Sequence, residues 1–539
     1  MNVFYLGFCQ DFHLEIIRSN RELMGWIPTY AVVYETEVER FRSMFPTCPV
    51  SGQLDVSLAR LNPDYAQNFT HQLDNDVLSE FHSVESNFYR MCDRRDFDGY
   101  SFNTTERRRH YYRLLDQWLY ILKNHRPDLV LFPDTPHTLW DYIAYAVCEQ
   151  LKIPTLMHTT NTILGLTPIV NKIEFSEIPS DAIYRTELKN QKSDFDLPAD
   201  LEDFWKSKTS LTEDFKPYYV KALEEKAKLR TTPMWLRLWK KLLTQGLSFF
   251  PQLIKTLQYK INAVKNLQFY HAIKGLPFAE ITQFSTFTFW KKLSLTKAIK
   301  KEGAFRLKEL QADYESLATN EVPIDSPFVI FFMHYTPEKT SVPDAGPFAD
   351  QYLAIDMLSA SMPEGWLLLV KEHPYQFSPE MPNFNTRTKY DYLQFLNNKN
   401  VRLISTAVDS FYLIKHCKAV STLTGTVALE GVLQGKPALI TGYAWYKNCE
   451  GMFNCLTQNA TQKALAQIAG GYVPDMYKVR LYFKALGQQW KRSYHMSYYF
   501  RAQQKTENIT MDENVKRVSY NFMSAYQHYY GLRAQSASS

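Results

Sequence analysis

Two stretches of this chain carry residue types that could hold a phosphate, and a third carries groups that could move a proton. Ser421 to Gly442 reads STLTGTVALEGVLQGKPALITG: small polar residues follow one apolar run, an apolar-periodic segment stops at Gly435, and a second apolar run follows. That is the pattern of strand, tight loop, helix, glycine stop and strand. Such a loop leaves backbone N–H groups near Gly425 and Thr426 without partners at a helix N-terminus, where the dipole favours an anion. LLLVKEHPYQF delivers Lys371, Glu372, His373 and Pro374 to the end of another apolar run, where Pro374 forbids continuation of the ladder. A cation and an imidazole beside a phosphate cradle would neutralise charge developing on a departing phosphate. For a single histidine such as His373 the competing reading is a purely structural one. The third stretch, RPDLVLFPDTPHTLWDYIAYAVCEQLKIPTLMHTT, places Asp134 and His137 after one apolar run and His158 after the next.

Positioning these groups requires strands that end together. Leu129 to Phe132 is too short for a helix and too continuous for an amphipathic strand, so it reads as a buried parallel strand. A helical pattern from about Leu139 to Leu151 and a strand at Pro154 to Met157 complete a βαβ unit. In open α/β sheets the residues just past the strand C-termini line the ligand crevice. Upstream, VFYLGF, HLEIIRSNRELMG and WIPTYAVVY alternate strand, helix and strand. Residues 190 to 320 are mainly helical by pattern. Alternation then resumes with PFVIFFMHYTPEKTS, a helix from about Phe348 to Ser361, the strands WLLLVKEHP and VRLIS, a short helix around Ser410 to His416, and the cradle.

The expected architecture is therefore α/β, with two Rossmann-like domains facing a cleft and a helical basic insertion between them. The expected divisions are an acceptor domain at 1–190, the insertion at 191–320, a donor domain at 321–490, C-terminal helices at 491–533 able to pack back on the first domain, and a disordered tail at 534–539.

The 539 residues are too many for one ordinary core, and 45% apolar with 22% charged residues is ordinary for a globular protein. The 35 Tyr and 35 Phe exceed the usual share and suit large clefts or polar–apolar boundaries. The N-terminus, MNVFYLGFCQDFHLEII, lacks a basic n-region and does not read as a secretory signal. No window approaches 18 uninterrupted apolar residues. Seven scattered Cys without zinc spacing read as reduced thiols of a cytoplasmic protein. The triplets Asp96-Phe97-Asp98 and Asp194-Phe195-Asp196 follow no good strand signal, so no metal site is expected. Net charge is only +5, yet Arg230 to Arg306 holds fourteen Lys or Arg against two acids, interleaved with Trp, Leu and Phe. That segment reads as a face for an anionic membrane surface or as a basic helical insertion packed on its own domain. No nucleic-acid module accompanies it, and no nucleic-acid partner is expected.

VKEHP followed by STLTGTVALEGVLQGKPALITGYAWY, and preceded by HYTPEKTSVPDAGPFADQ, resembles the capsule polysaccharide biosynthesis family. That family includes the Kdo transferases of bacterial capsule assembly; the HP and Ser-Ser/Thr motifs of bacterial GT-B sialyltransferases are a more distant likeness. The resemblance implies a GT-B glycosyltransferase that takes a nucleotide-sugar, often a CMP-linked acidic sugar such as Kdo, without a cofactor or an obligatory metal. It implies that His373 is a donor-phosphate partner or general acid. The implied donor-binding residues are His334, Glu338, Lys371, Ser421, Thr422, Thr424, Gly425, Thr426 and Glu430, the last suited to ribose hydroxyls or simply solvated.

A transferase also needs a base for the acceptor hydroxyl. Asp134 is the first choice, with His137 and His158 in reserve, although Asp134 could equally cap the helix after Pro136. The function expected is transfer of a sugar onto a growing surface polysaccharide at the inner face of the cytoplasmic membrane, with a lipid-linked or polysaccharide acceptor. The alternatives are a CDP-activated polyol-phosphate transferase and a non-catalytic nucleotide- or glycan-binding subunit.

Overall fold

The computed structural model describes residues 1–10, 12–94, 102–159, 165–174, 177–190, 194–209, 254, 258, 289–378, 386–497, 499–501 and 509–536. Most of the basic segment, including Lys240 and Lys241, and the triplet at Asp96 therefore lie outside the described residues.

Short apolar runs make the strands. The first sheet contains β1 (Asn2–Leu6), β2 (Ile27–Val33), β3 (Val50–Gly52), β4 (Leu129–Phe132), β5 (Thr155–His158) and β6 (Ile169–Val170). The second contains β7 (Phe328–Phe332), β8 (Leu367–Lys371), β9 (Val401–Ile404), β10 (Ala419–Thr422), β11 (Ala438–Ile440) and β12 (Met452–Asn454). Every residue of β4 and β10 is buried, as runs covered on both faces must be.

The sheets have the same plan. The first is ordered β3-β2-β1-β4-β5-β6 and the second β9-β8-β7-β10-β11-β12, so each follows the doubly wound order 3-2-1-4-5-6. All pairings are parallel except β5 with β6. Each domain therefore reverses its winding once, between β1 and β4 or between β7 and β10. The crevice beyond those strand ends is where such sheets take ligands.

Helix boundaries follow their caps. Asp350 accepts the N–H of Tyr352 at 3.3 Å, so the helix expected from Phe348 begins at Gln351, after a 3-10 turn at Gly346–Ala349. The helix Leu139–Leu151 begins after Thr138, whose N–H is taken by Asp141 at 2.6 Å. Asp134 is not its cap, which removes the capping alternative.

The chain end crosses back to the first sheet. Lys484 of the helix Met476–Gln489 pairs with Glu187 at 2.9 Å, Ser519 donates to Ser19 at 3.0 Å, and Tyr530 donates to the Thr155 carbonyl at 3.0 Å. The core around the first sheet accordingly continues through Tyr482 and Phe522 and reaches Ala428 and Val432 behind the cradle. The last helix runs from Met511 to Ser536, so the tail expected from Ala534 starts as helix.

Candidate functional site

Sheet register brings three loop residues side by side. Phe332, the last residue of β7, pairs with Lys371 of β8 on one flank and Thr422 of β10 on the other. Two residues further along each strand stand His334, His373 and Thr424. With neighbouring strands about 4.8 Å apart, the three span about 10 Å.

His334 is the centre. Its Nε2 lies 3.3 Å from the Thr424 hydroxyl and its Nδ1 3.4 Å from that of Thr422. Both hydroxyls spend their protons on carbonyls, Thr424 on that of Thr340 at 2.9 Å and Thr422 on that of Phe332 at 3.1 Å, so each can only accept from the imidazole, and the neutral ring serves one of them through its single N–H. Burial, reinforced by His373 and Arg387, pushes the His334 pKa down to about 3, so the ring is neutral. Gln351 fixes its backbone at both ends, accepting from its N–H and donating to its carbonyl, each at 2.8 Å.

His373 caps the short turn Pro374–Phe377: its Nδ1 accepts the N–H of Tyr375 at 3.1 Å, and its ring stacks on Tyr375. Burial lowers its pKa to about 4. In the neutral ring, with Nδ1 accepting, the proton sits on Nε2 as a donor.

A buried charge pair ties the two histidine loops together. Glu372 accepts the His373 N–H at 2.8 Å and the Tyr392 hydroxyl at 2.9 Å, and Arg387 Nε approaches it to 2.7 Å. That approach is a charge contact, since the Nε–H is not aligned as a hydrogen bond. Arg387 also donates to the His334 carbonyl at 3.2 Å. No sequence signal marks Arg387, Gln351 or Tyr392, because each acts on a residue distant in the chain.

The cradle loop curls beside His334. Among the described residues, the N–H groups of Thr424, Gly425 and Thr426 have no acceptor. Gly425 is required for space: a Cβ there would lie 2.9 Å from the Thr422 hydroxyl and 3.2 Å from His334 Cε1.

Other expected donor residues stand apart. Ser421 points to the opposite face of β10 from Thr422 and donates to the Leu439 carbonyl at 3.3 Å. Lys371 donates to the Val408 carbonyl and, at 3.0 Å, to Ser410, so its ammonium is not part of the His334 cluster; burial pushes its pKa down to about 8. Glu338 is exposed and accepts from the Thr340 hydroxyl at 2.9 Å. Glu430, in the helix Val427–Leu433, is partly exposed; burial raises its pKa to about 7, with Lys208 opposing.

The first domain meets the loop that follows His334. Asp134, just past β4, accepts from Lys339 at 2.7 Å, and both side chains are nearly buried. Burial works against the Lys339 charge, but Asp134 and Asp344 together hold its pKa above the ordinary lysine value. Arg94 donates to the His137 carbonyl in its own domain and to the Val342 carbonyl across the seam, the latter at 2.7 Å. Arg90 pairs with Asp350 at 3.1 Å.

The reserve histidines have other settings. His137 donates through Nδ1 to the Thr135 carbonyl at 2.6 Å, and burial with help from Arg94 lowers its pKa to about 4. His158 is buried under the C-terminal segment, stacked on His495 at 4.6 Å, and burial pushes its pKa well below the usual value. Among the described residues, no three His, Cys, Asp or Glu side chains gather as metal ligands, and no helix is long and apolar enough to cross a membrane.

Residues 283–469 match the family model of the capsule polysaccharide biosynthesis protein, the family that VKEHP and the cradle resemble. No curated protein sequence matches significantly. Among solved structures, the chain is similar to the KpsC beta Kdo 2,7 transferase of Thermosulfurimonas dismutans, at 12% identity over 41% of this chain and 69% of that one, with a TM-score of 0.20. The S. aureus MnaA–UDP co-structure shares 10% identity over 94% of this chain and 98% of that one, with a TM-score of 0.20. A UDP-GlcNAc 2-epimerase of Methanocaldococcus jannaschii, in complex with UDP-GlcNAc and UDP, shares 10% identity over 90% and 99%, with a TM-score of 0.22. TM-scores this low carry nothing about function, and the two-domain fold rests here on strand order and register.

Proposed function

We propose that this protein is a glycosyltransferase of surface polysaccharide assembly. It moves a sugar from a nucleotide-activated donor onto a capsule or O-antigen type chain, with Kdo from a CMP-linked donor as the instance the family resemblance favours. The observation that carries this reading is the meeting, at the β7/β10 switch point, of neutral His334, the Nε2–H of His373 and the N–H groups of Thr424, Gly425 and Thr426.

The loop N–H groups and the His373 Nε2–H are fixed hydrogen-bond donors, the His334 ring packs beside them with its own N–H engaged by a threonine hydroxyl, and none of the set is an anion that would repel a phosphate. When the bond between the sugar carbon and the phosphate oxygen breaks, negative charge grows on the departing nucleotide. Donors already held in place stabilise that charge without reorganising, and removing one from such an arrangement typically costs about 10²- to 10³-fold in turnover. Asp134 belongs, in this reading, to the acceptor side, and its contact with Lys339 links that side to the loop that follows His334. In this reading the basic segment holds the enzyme peripherally on the anionic inner face of the membrane, near a lipid-linked acceptor.

The test is thermal stabilisation and turnover with CMP-, UDP-, GDP- and CDP-activated donors, because a ligand selective for the folded state raises Tm. Stabilisation with transfer to a short glycan, unaffected by a chelator, is the expected result. Stabilisation without transfer marks a binding subunit, transfer of a polyol phosphate marks the CDP-dependent alternative, and no response to any donor refutes the reading.

A further inference from the structure

Asp344 lies in the loop between His334 and the helix Gln351–Ser361, and its backbone is wedged beside the cradle. Its N–H donates to the Lys339 carbonyl at 3.2 Å, and its own carbonyl accepts from the Tyr443 N–H at 2.7 Å. Gly442 makes room for it: a Cβ there would lie 3.1 Å from the Asp344 carbonyl oxygen and 2.7 Å from Thr424 Cγ2. The residue therefore stands between the cradle and the Asp134–Lys339 contact, where donor and acceptor domains meet.

The two carboxylates of this seam have opposite settings. Asp134 Oδ1 already accepts the Thr135 N–H at 2.8 Å and the Lys339 ammonium at 2.7 Å. Both bonds fall on the one oxygen, and the Lys339 ammonium held there competes with a substrate hydroxyl for the carboxylate. Asp344 as a residue keeps part of its surface exposed and, among the described residues, its carboxylate receives no hydrogen bond. A hydroxyl approaching from the acceptor domain would be its first donor.

On the glycosyltransferase reading above, we propose that Asp344, rather than Asp134, is the general base for the acceptor hydroxyl. Its carboxylate takes the hydroxyl proton as the acceptor oxygen forms its bond to the sugar carbon. The bond from that carbon to the donor phosphate breaks, and its electron pair leaves with the nucleotide. The proton then passes from Asp344 to solvent. Asp134 and Lys339 act as positioning residues that set the field around it.

That field is balanced near neutrality. Burial raises the Asp344 pKa to about 7, with Lys339 and Arg94 pulling it down and Asp134 and Glu338 pushing it up. A base of this strength is ionised at and above neutral pH, and turnover falls as pH drops through that value.

The experiment compares full-length wild type, Asp344→Asn, Asp344→Glu and Asp134→Asn, using the donor that stabilises the wild type and a soluble acceptor. Tm, donor-induced stabilisation and the pH profile of kcat are measured. Asp344→Asn should bind donor within about two-fold of wild type yet lose on the order of 10²- to 10⁴-fold in kcat, and the residual rate should lack the acid limb. Asp344→Glu should recover part of the rate. Asp134→Asn should keep the limb but shift it to lower pH, because a negative neighbour that favoured protonation is gone. Wild-type kcat in Asp344→Asn, or an acid limb that vanishes only in Asp134→Asn, overturns the assignment. Wild-type protein that binds no donor overturns the glycosyltransferase reading, and this assignment with it.

Discussion

Replacing Arg387 by Met removes one charge from a pair that joins both histidine loops. In the folded protein the Glu372 side chain is 0% exposed and that of Arg387 is 7% exposed. Methionine is flexible enough to fill much of the guanidinium's space, so the main effect is an uncompensated buried carboxylate. Breaking such a pair from one side costs about 3–5 kcal/mol. For a domain of about 150–250 residues each kcal/mol moves Tm by roughly 2–4 °C, so the C-terminal domain should melt about 6–20 °C lower.

The loss should depend on pH with a definite sign. Burial already raises the Glu372 pKa, and Arg387 is the largest influence opposing it. Without Arg387 the folded-state pKa rises further above the unfolded value of about 4.3. The variant's deficit is therefore smallest near pH 4, where the carboxyl is protonated folded or unfolded, and widens as pH rises through the folded pKa. Donor-induced stabilisation should also weaken, because Arg387 holds the His334 carbonyl and, through Glu372, the His373 N–H. Adding Glu372→Gln removes the stranded charge while keeping an acceptor for His373 and a donor for the Tyr392 oxygen. Scanning calorimetry from pH 4 to 8 on the single and double variants decides the matter. A single variant as stable as wild type at pH 8, or a double variant no better than the single, would refute the idea that this pair holds the two loops.

Three further outcomes are expected. His373→Asn keeps a side chain able to cap the turn but has no Nε2–H, so turnover should fall tens-fold or more with Tm nearly unchanged; wild-type turnover would remove His373 from the mechanism. Gly425→Ala forces a methyl group against Thr422 and His334 and should weaken donor stabilisation, whereas Ser421→Ala should leave donor binding intact and lose only about 1 kcal/mol of stability with its hydrogen bond to Leu439; equal effects on donor binding would show that the two faces of β10 are not separated as described. Changing Lys240, Lys241, Lys291 and Lys292 to Glu should abolish most sedimentation with anionic vesicles at low salt while sparing turnover on a soluble acceptor; absence of vesicle binding by the wild type would leave the segment as a packed insertion.

What is legible in this sequence is whatever repeats over a few residues. The runs LVLF, FVIFF, LLLVK and AVST are short, continuous and bounded by polar residues or proline, so buried parallel strands and their C-terminal ends can be read directly. Asp134 and His373 follow from that reading as residues at strand ends, His334 and Thr424 enter through the family resemblance, and the two α/β domains follow from the alternation. Their partners do not. The separation of Ser421 from Thr422 needs the neighbours on each face of β10; the diversion of Lys371 needs Val408 and Ser410; and the hold of Arg387 on both histidines crosses a loop boundary. The contact between Asp134 and Lys339 joins two domains. It decides which carboxylate is gripped and which, Asp344, is left open to a substrate. Local periodicity records which face of an element is buried, whereas a charge meeting its counterion across a seam depends on how two separately folded sheets dock, and no local pattern encodes that.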